Sequence, residues 1–183
     1  MIKRLLIIFI LILLLIGLPT LAITDKEKQG LFIEAKVLCS MFAKQCKVVE
    51  ETNKSMYAQT GIDNVISISS ALLDKIKKKQ VRSVLYHEVG HVVYGHVEKN
   101  LEYIMECSAE GTCNNPIYHE MRRNAELQAD RFAIYVLKYT RQEEGLIEAL
   151  LILTPKDMIN TTHPTHPSTA DRIKQIERLY YGR

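Results

Sequence analysis

The chain has almost no net charge, no internal repeat, no low-complexity tract and only one long uncharged apolar run. Against 21 acidic residues stand 24 basic ones, for a formal charge of +3. Without residues 1–22, which hold Lys3 and Arg4 and no acid, the balance is 22 against 21. So even a balance gives no electrostatic footing for nucleic acid, and no such partner is expected. The densest basic run, Lys75, Lys77, Lys78 and Lys79, reads as the wet face of a short helix rather than a lipid-binding patch.

The single apolar run, Leu5 to Leu18, follows Lys3 and Arg4 and precedes Pro19-Thr20-Leu21-Ala22. That is the form of a secretory signal cleaved after Ala22. Extended to Ile23, the run is 19 residues, long enough to span a bilayer if retained. Lys3 and Arg4 would then stay inside, while Asp25, Lys26, Glu27 and Lys28 beyond the run sum to zero. On either reading, residues 23–183 form one domain outside the cytoplasm. The expected place is the bacterial periplasm or the outer face of the inner membrane, or the medium if the protein is secreted. Membrane association through residues 5–23 follows if the leader is kept. No cysteine ends the run, so a lipoprotein anchor is not indicated. Leu150-Leu151-Ile152-Leu153 is too short for a second span.

The cysteines lack the two- to four-residue spacing of a zinc knuckle. Four of them in an exported chain point to two disulfides. Cys107 and Cys113 bracket a turn-like segment and pair easily. Cys39 and Cys46 on one unbroken helix would stand about 10.5 Å apart, beyond the span of a disulfide. Either that helix ends near Ala43, or the bonds run between the two pairs.

Apolar periodicity predicts a helix over 26–43, from Leu31, Phe32, Ala35, Leu38 and Phe42. Short strands are expected around Val48-Val49 and Met56-Tyr57, and a clearer one over 64–69, where Ile66 and Ile68 alternate with Ser67 and Ser69. Ser69 or Ser70 caps the next helix. Another starts near Gln80, one opens at Pro116 and runs to about Tyr139, one covers 142–153, and Ser168 caps a last one to Tyr181. The fold class is mainly α with a small β-sheet.

The segment His87-Glu88-Val89-Gly90-His91 carries the chemistry. Residues four apart share a helix face, with Cβ atoms roughly 5–6 Å apart. Two imidazoles there can converge on one Zn²⁺, and Glu88 can take a proton from the activated water. The valines and leucine around it make the helix apolar on most sides, so it should be buried. Gly90 and Gly95 lower helix propensity and suggest close approach by another backbone.

A catalytic zinc commonly takes three protein ligands and keeps a fourth position for water. Downstream candidates for the third are His96, Glu98, Glu106, His119, Glu120, Glu126, His163 and His166. A second, antiparallel helix is the natural source, which favours Glu126. Asp130 lies one turn on, able to accept a hydrogen bond from the free nitrogen of a ligand histidine. Small Ala125 and Ala129 would let the helices come close.

Three ordered blocks over residues 60–178 carry a resemblance: His87-Glu88-Val89-Gly90-His91, Glu126-Leu127-Gln128-Ala129-Asp130 and His166-Pro167-Ser168-Thr169-Ala170-Asp171-Arg172-Ile173. They resemble the signatures of the HtpX-like and CAAX-prenyl-protease zinc metallopeptidases, which are gluzincins with a zincin-like fold. The resemblance implies that Glu126 is the third zinc ligand, that Asp130 supports a ligand histidine, and that His166 lies beside the metal to steady the oxyanion or cap the zinc. With one apolar segment, the chain looks closer to the compact periplasmic members than to the multi-span ones. The expected protein is therefore a zinc endopeptidase of envelope proteins with polypeptide substrates. Two other readings stay open: a non-proteolytic zinc-bearing envelope chaperone or assembly factor, and a secreted protease or toxin. Glu88 weighs against the first, because a structural site needs no base. The strand over 64–69 has two expected roles: it lies along the cleft and pairs with substrate backbone, or it is an ordinary sheet strand.

Overall fold

A computed structural model describes residues 23–111, 113 and 115–182; the leader lies outside the described residues. Helix α1 (Asp25–Met41) starts at Thr24, whose hydroxyl accepts from the Glu27 amide while Glu27 reaches back to the Thr24 amide. It buries Leu31, Phe32, Ala35, Leu38 and Cys39. Phe42 caps it, and Ala43 at φ 55° turns the chain back. That reversal brings Cys46 to Cys39 with Cα atoms 6.2 Å apart, and the two form a disulfide. Cys107 and Cys113 form the other. Both bonds are local, as the early helix end allows.

Strands β1 (Lys47–Glu51), β2 (Ala58–Thr60) and β3 (Val65–Ser69) form one sheet in the order β1-β3-β2. β1 runs parallel to β3, with Val48 beside Ile66, and β2 runs antiparallel, with Gln59 beside Ser67. β3 is therefore the central strand, flanked on both sides, and the expectation that it lines a cleft is corrected. A strand with both edges paired has no free amides or carbonyls to offer a substrate. The serines of β3 are also buried along with Ile66 and Ile68. Ser69 has work there: its hydroxyl accepts from the Tyr57 and Leu72 amides, the latter opening α2 (Ser70–Leu73).

Helix α3 (Lys78–Tyr94) runs through the middle, against α1, β2 and two later helices. Val81, Leu85, Val89 and Val92 are fully buried, as the apolar surround requires. Its two expected close-approach glycines do different things. At Gly90 a Cβ would stand 3.0 Å from the Ala129 Cα and 3.2 Å from its carbonyl oxygen, so the glycine sets how near α5 can come. Gly95 is instead left-handed (φ 63°) and ends the helix. From that break α4 (His96–Glu110) starts at once, a helix that the sequence reading did not anticipate, and Gly111 closes it.

Asn115 caps α5 (Pro116–Leu137), its side-chain oxygen accepting from the Tyr118 amide. α6 (Glu144–Leu153) follows, and Ser168 caps α7 (Thr169–Tyr181) by accepting from the Asp171 amide. A Cβ on Gly145 would meet the Lys79 carbonyl oxygen at 2.8 Å, which shows how closely α6 is pressed on α3. The architecture is mainly helical with a small sheet. No helix among the described residues is long and apolar enough to cross a membrane.

Candidate metal centre

His87 and His91 lie one turn apart on α3, and Glu126 reaches them from α5, where Gly90 meets Ala129. The Nε2 atoms of His87 and His91 stand 3.1 Å apart. Glu126 places its two carboxylate oxygens 3.5 Å from His87 Nε2 and 3.7 Å from His91 Nε2. Ligands at about 2.0–2.1 Å from a tetrahedral zinc are about 3.3 Å from one another. Each of these separations matches that spacing to within a few tenths of an ångström, and two imidazoles with one carboxylate are a zinc-type donor set. Among the described residues this is the one group of histidine, cysteine and acidic side chains close enough to hold a metal. Glu98, Glu106, His119, Glu120 and His163 stand outside it.

The far nitrogens of the two histidines are also occupied. His87 Nδ1 donates to Asp130 Oδ1 at 2.9 Å. Asp130 has no exposure and is clasped by Arg172, whose Nε and one terminal nitrogen bond its two oxygens at 2.8 and 2.7 Å. Another Arg172 nitrogen lies 3.4 Å from Glu126. His91 Nδ1 meets His96 Nδ1 at 3.0 Å, and His96 Nε2 meets Gln128 Oε1 at 3.0 Å. The amide oxygen only accepts, so His96 carries its proton on Nε2 and accepts from His91 Nδ1–H. That leaves the His91 Nε2 lone pair facing the centre.

Burial opposes charge throughout, and partners decide who keeps it. Burial works against His87 as a cation, but Asp130 and Glu126 push its pKa up to about 10. Burial and the neighbouring His87 charge take His91 down to about 3. Glu126 is held well below the usual carboxylate range despite its burial, by His87 and Arg172. Asp130 falls to about 2 through Arg172. Glu88 goes the other way: burial pushes its carboxyl up, although Thr60 Oγ1 donates to Oε2 at 2.8 Å.

All of these groups except the fully buried Asp130 line a cleft of about 740 Å³ bounded by β2, α3, α4, α5, α6, the segment before α7 and the first turn of α7. His166 stands at its rim, half-exposed, with Nε2 3.8 Å from Glu126. His163 pairs with His166 across a tight turn but does not line the cleft. Arg123 donates to the Pro164 carbonyl and steadies that turn.

A buried base beside three converging ligand atoms, open to a cleft, is an arrangement for hydrolysis. The profile of peptidase family M48 matches residues 33–180. The chain belongs to peptidase family M48. Membership carries metal-dependent peptidase activity on polypeptides. A search of curated proteins found no match.

Sequence reading missed Thr60 and the role of Arg172, and it weighed His96 only as a ligand, not as the hydrogen-bond link between His91 and Gln128. Arg172 stands inside the third sequence block, so a buried aspartate in need of a cation was a signal for it. Nothing local marks Thr60.

Proposed function

We propose that this M48 peptidase is an exported zinc endopeptidase in which His87, His91 and Glu126 hold the metal and Glu88 is the general base. The observation that carries the reading is the triangle of ligand atoms with Glu88 buried beside it in an open cleft. Zinc bound there would polarise the scissile carbonyl and lower the pKa of a water to about 7. Glu88 takes the proton from that water and returns it to the leaving amine. Its raised proton affinity suits both halves of that task, and the Thr60 hydroxyl fixes its carboxylate. His166 at the rim can donate to the carbonyl oxygen as charge develops on it.

β2 is the strand placed to hold substrate. Tyr57 O accepts from the Ser69 amide and the Gly61 amide donates to Val65 O, so residues 57, 59 and 61 face β3. Ala58 and Thr60 then turn their amides and carbonyls to the cleft side, where an extended peptide can pair with them. The supporting experiment is cleavage of unfolded casein. The zinc-loaded protein should cleave it and stop on chelation. Glu88→Gln should keep zinc and fold while losing about 10²–10⁴-fold in rate. A Glu88→Gln protein that cleaves like wild type would remove the base from the mechanism.

A further inference from the structure

We infer that the outer face of α1 docks on a lipid surface carrying anionic headgroups and leaves the cleft open to water. The inference does not depend on the peptidase reading. Helix α1 is apolar on two sides. Leu31, Phe32, Ala35 and Leu38 fill the core, while Ile33, Val37 and Met41 form a row at i, i+4 and i+8 facing away from it. The three are 59%, 51% and 74% exposed, so nothing among the described residues covers the row. One apolar side is enough to join a core, and a second continuous one marks a contact surface.

Charge selects the occupant. Lys26 at the head of the row and Lys36 at its side are exposed. The acids of α1 are taken: Asp25 pairs with Lys28 at 2.9 Å, Glu27 with Lys78 at 3.6 Å and Glu34 with Arg82 at 2.7 Å. Phe42, at the far end of the row, rests edge-on against Phe132 of α5. Exposed Tyr135 and Tyr139 lie on the turns that follow, and residues 131–141 hold Arg131, Lys138 and Arg141 but no acid. A second copy on this face would bring two cationic rims together, which opposes self-association. Anionic headgroups suit the lysines and the acyl boundary suits the row, with tyrosines at the interface between them. The layout of the chain brings lipid to this face. The uncharged apolar run ends at Ile23, and Thr24 alone separates it from α1. Kept in a bilayer, that run starts α1 at the lipid surface. No residue of α1 lines the cleft, so substrates reach it from water.

The test uses the full chain reconstituted in vesicles of phosphatidylcholine, with or without phosphatidylglycerol. The four native cysteines are paired, so one introduced cysteine takes a spin label selectively. With phosphatidylglycerol present, labels on Ile33→Cys, Val37→Cys and Met41→Cys should lose collisions with a water-soluble nickel complex and gain them with oxygen. A label on Ile117→Cys, at the cleft and 70% exposed, should stay in water. Lys26→Glu combined with Lys36→Glu should move the Val37→Cys label toward water, and so should leaving out phosphatidylglycerol. Both lysines are exposed, so their replacement spares the core. Labels at 33, 37 and 41 as wet as the one at 117 overturn the proposal. So does a label at 117 immersed in lipid, or a chain that fails to float with the anionic vesicles. Immersion indifferent to both charge reversal and lipid charge overturns the anionic partner.

Discussion

His87 and His91 sit one turn apart on the same buried helix, yet their surroundings drive them in opposite directions. His87 backs onto an anion, Asp130, itself clasped by Arg172, and its pKa rises to about 10. His91 backs onto a neutral chain, His96 and then Gln128, so nothing offsets burial and the neighbouring His87 charge, which take its pKa to about 3. The short motif sets the spacing of the two rings. What each ring does with its proton is set from α4, α5 and α7, far away in sequence. A metal site built this way pairs one charged and one neutral support, so the two supports should fail differently.

Removing the charged support should have the largest effect. Asp130→Ala leaves Arg172 buried without its bidentate partner, and the protein should lose about 3–5 kcal/mol of stability, read by denaturant unfolding. Next comes the seam that holds both supports. Gly90→Ala sets a methyl against the Ala129 backbone and should cost about 1–3 kcal/mol, with weaker zinc binding because Glu126 moves with α5. Removing the neutral support should spare the fold. His96→Ala should reduce zinc affinity by about 10–100-fold in competition with a chromophoric chelator, with cleavage recovering at high zinc. A His96→Ala protein that binds zinc like wild type would show the neutral support to be incidental.

The remaining effect is in pH. In the metal-free protein the raised pKa of His87 means that its charged form stabilises the fold. That contribution is fully present below about 6.5 and is lost as pH rises through about 10. The metal-free melting temperature should therefore fall across that window, and zinc binding at pH 8 should release about one proton. Calorimetry in buffers of different ionisation enthalpy reads this release directly. No release would mean that His87 is neutral without metal.

Legibility followed the range of the forces involved. Elements with local signals were readable: Pro116 and Ser168 at helix starts, Ser69 as a cap, Ile66 and Ile68 in a strand. The sequence also marked Gly90 as a point of close contact, since a glycine inside an apolar helix needs a packing reason. It could not tell Gly95 from Gly90, because a left-handed break and a close approach leave the same residue. α4 was lost with it. The alternation of isoleucine with serine marked β3 as a strand but not its place between two partners. Ser69 is buried for its hydrogen bonds to Tyr57 and Leu72, and no alternation pattern reports that. That His87, His91 and Glu126 meet was readable from spacing and family resemblance together. Asp130 behind a histidine was readable as well, one turn beyond Glu126; its clasp by Arg172 and the His96–Gln128 chain were not, since those contacts span 42 and 32 residues.

The most direct test is a crystal structure of the zinc-loaded protein with anomalous diffraction collected at the zinc edge. One ion is expected at about 2.0–2.2 Å from His87 Nε2, His91 Nε2 and a Glu126 oxygen, with a fourth position open to the cleft. An ion elsewhere, or one closed in by four protein ligands with Glu126 turned away, would contradict the account.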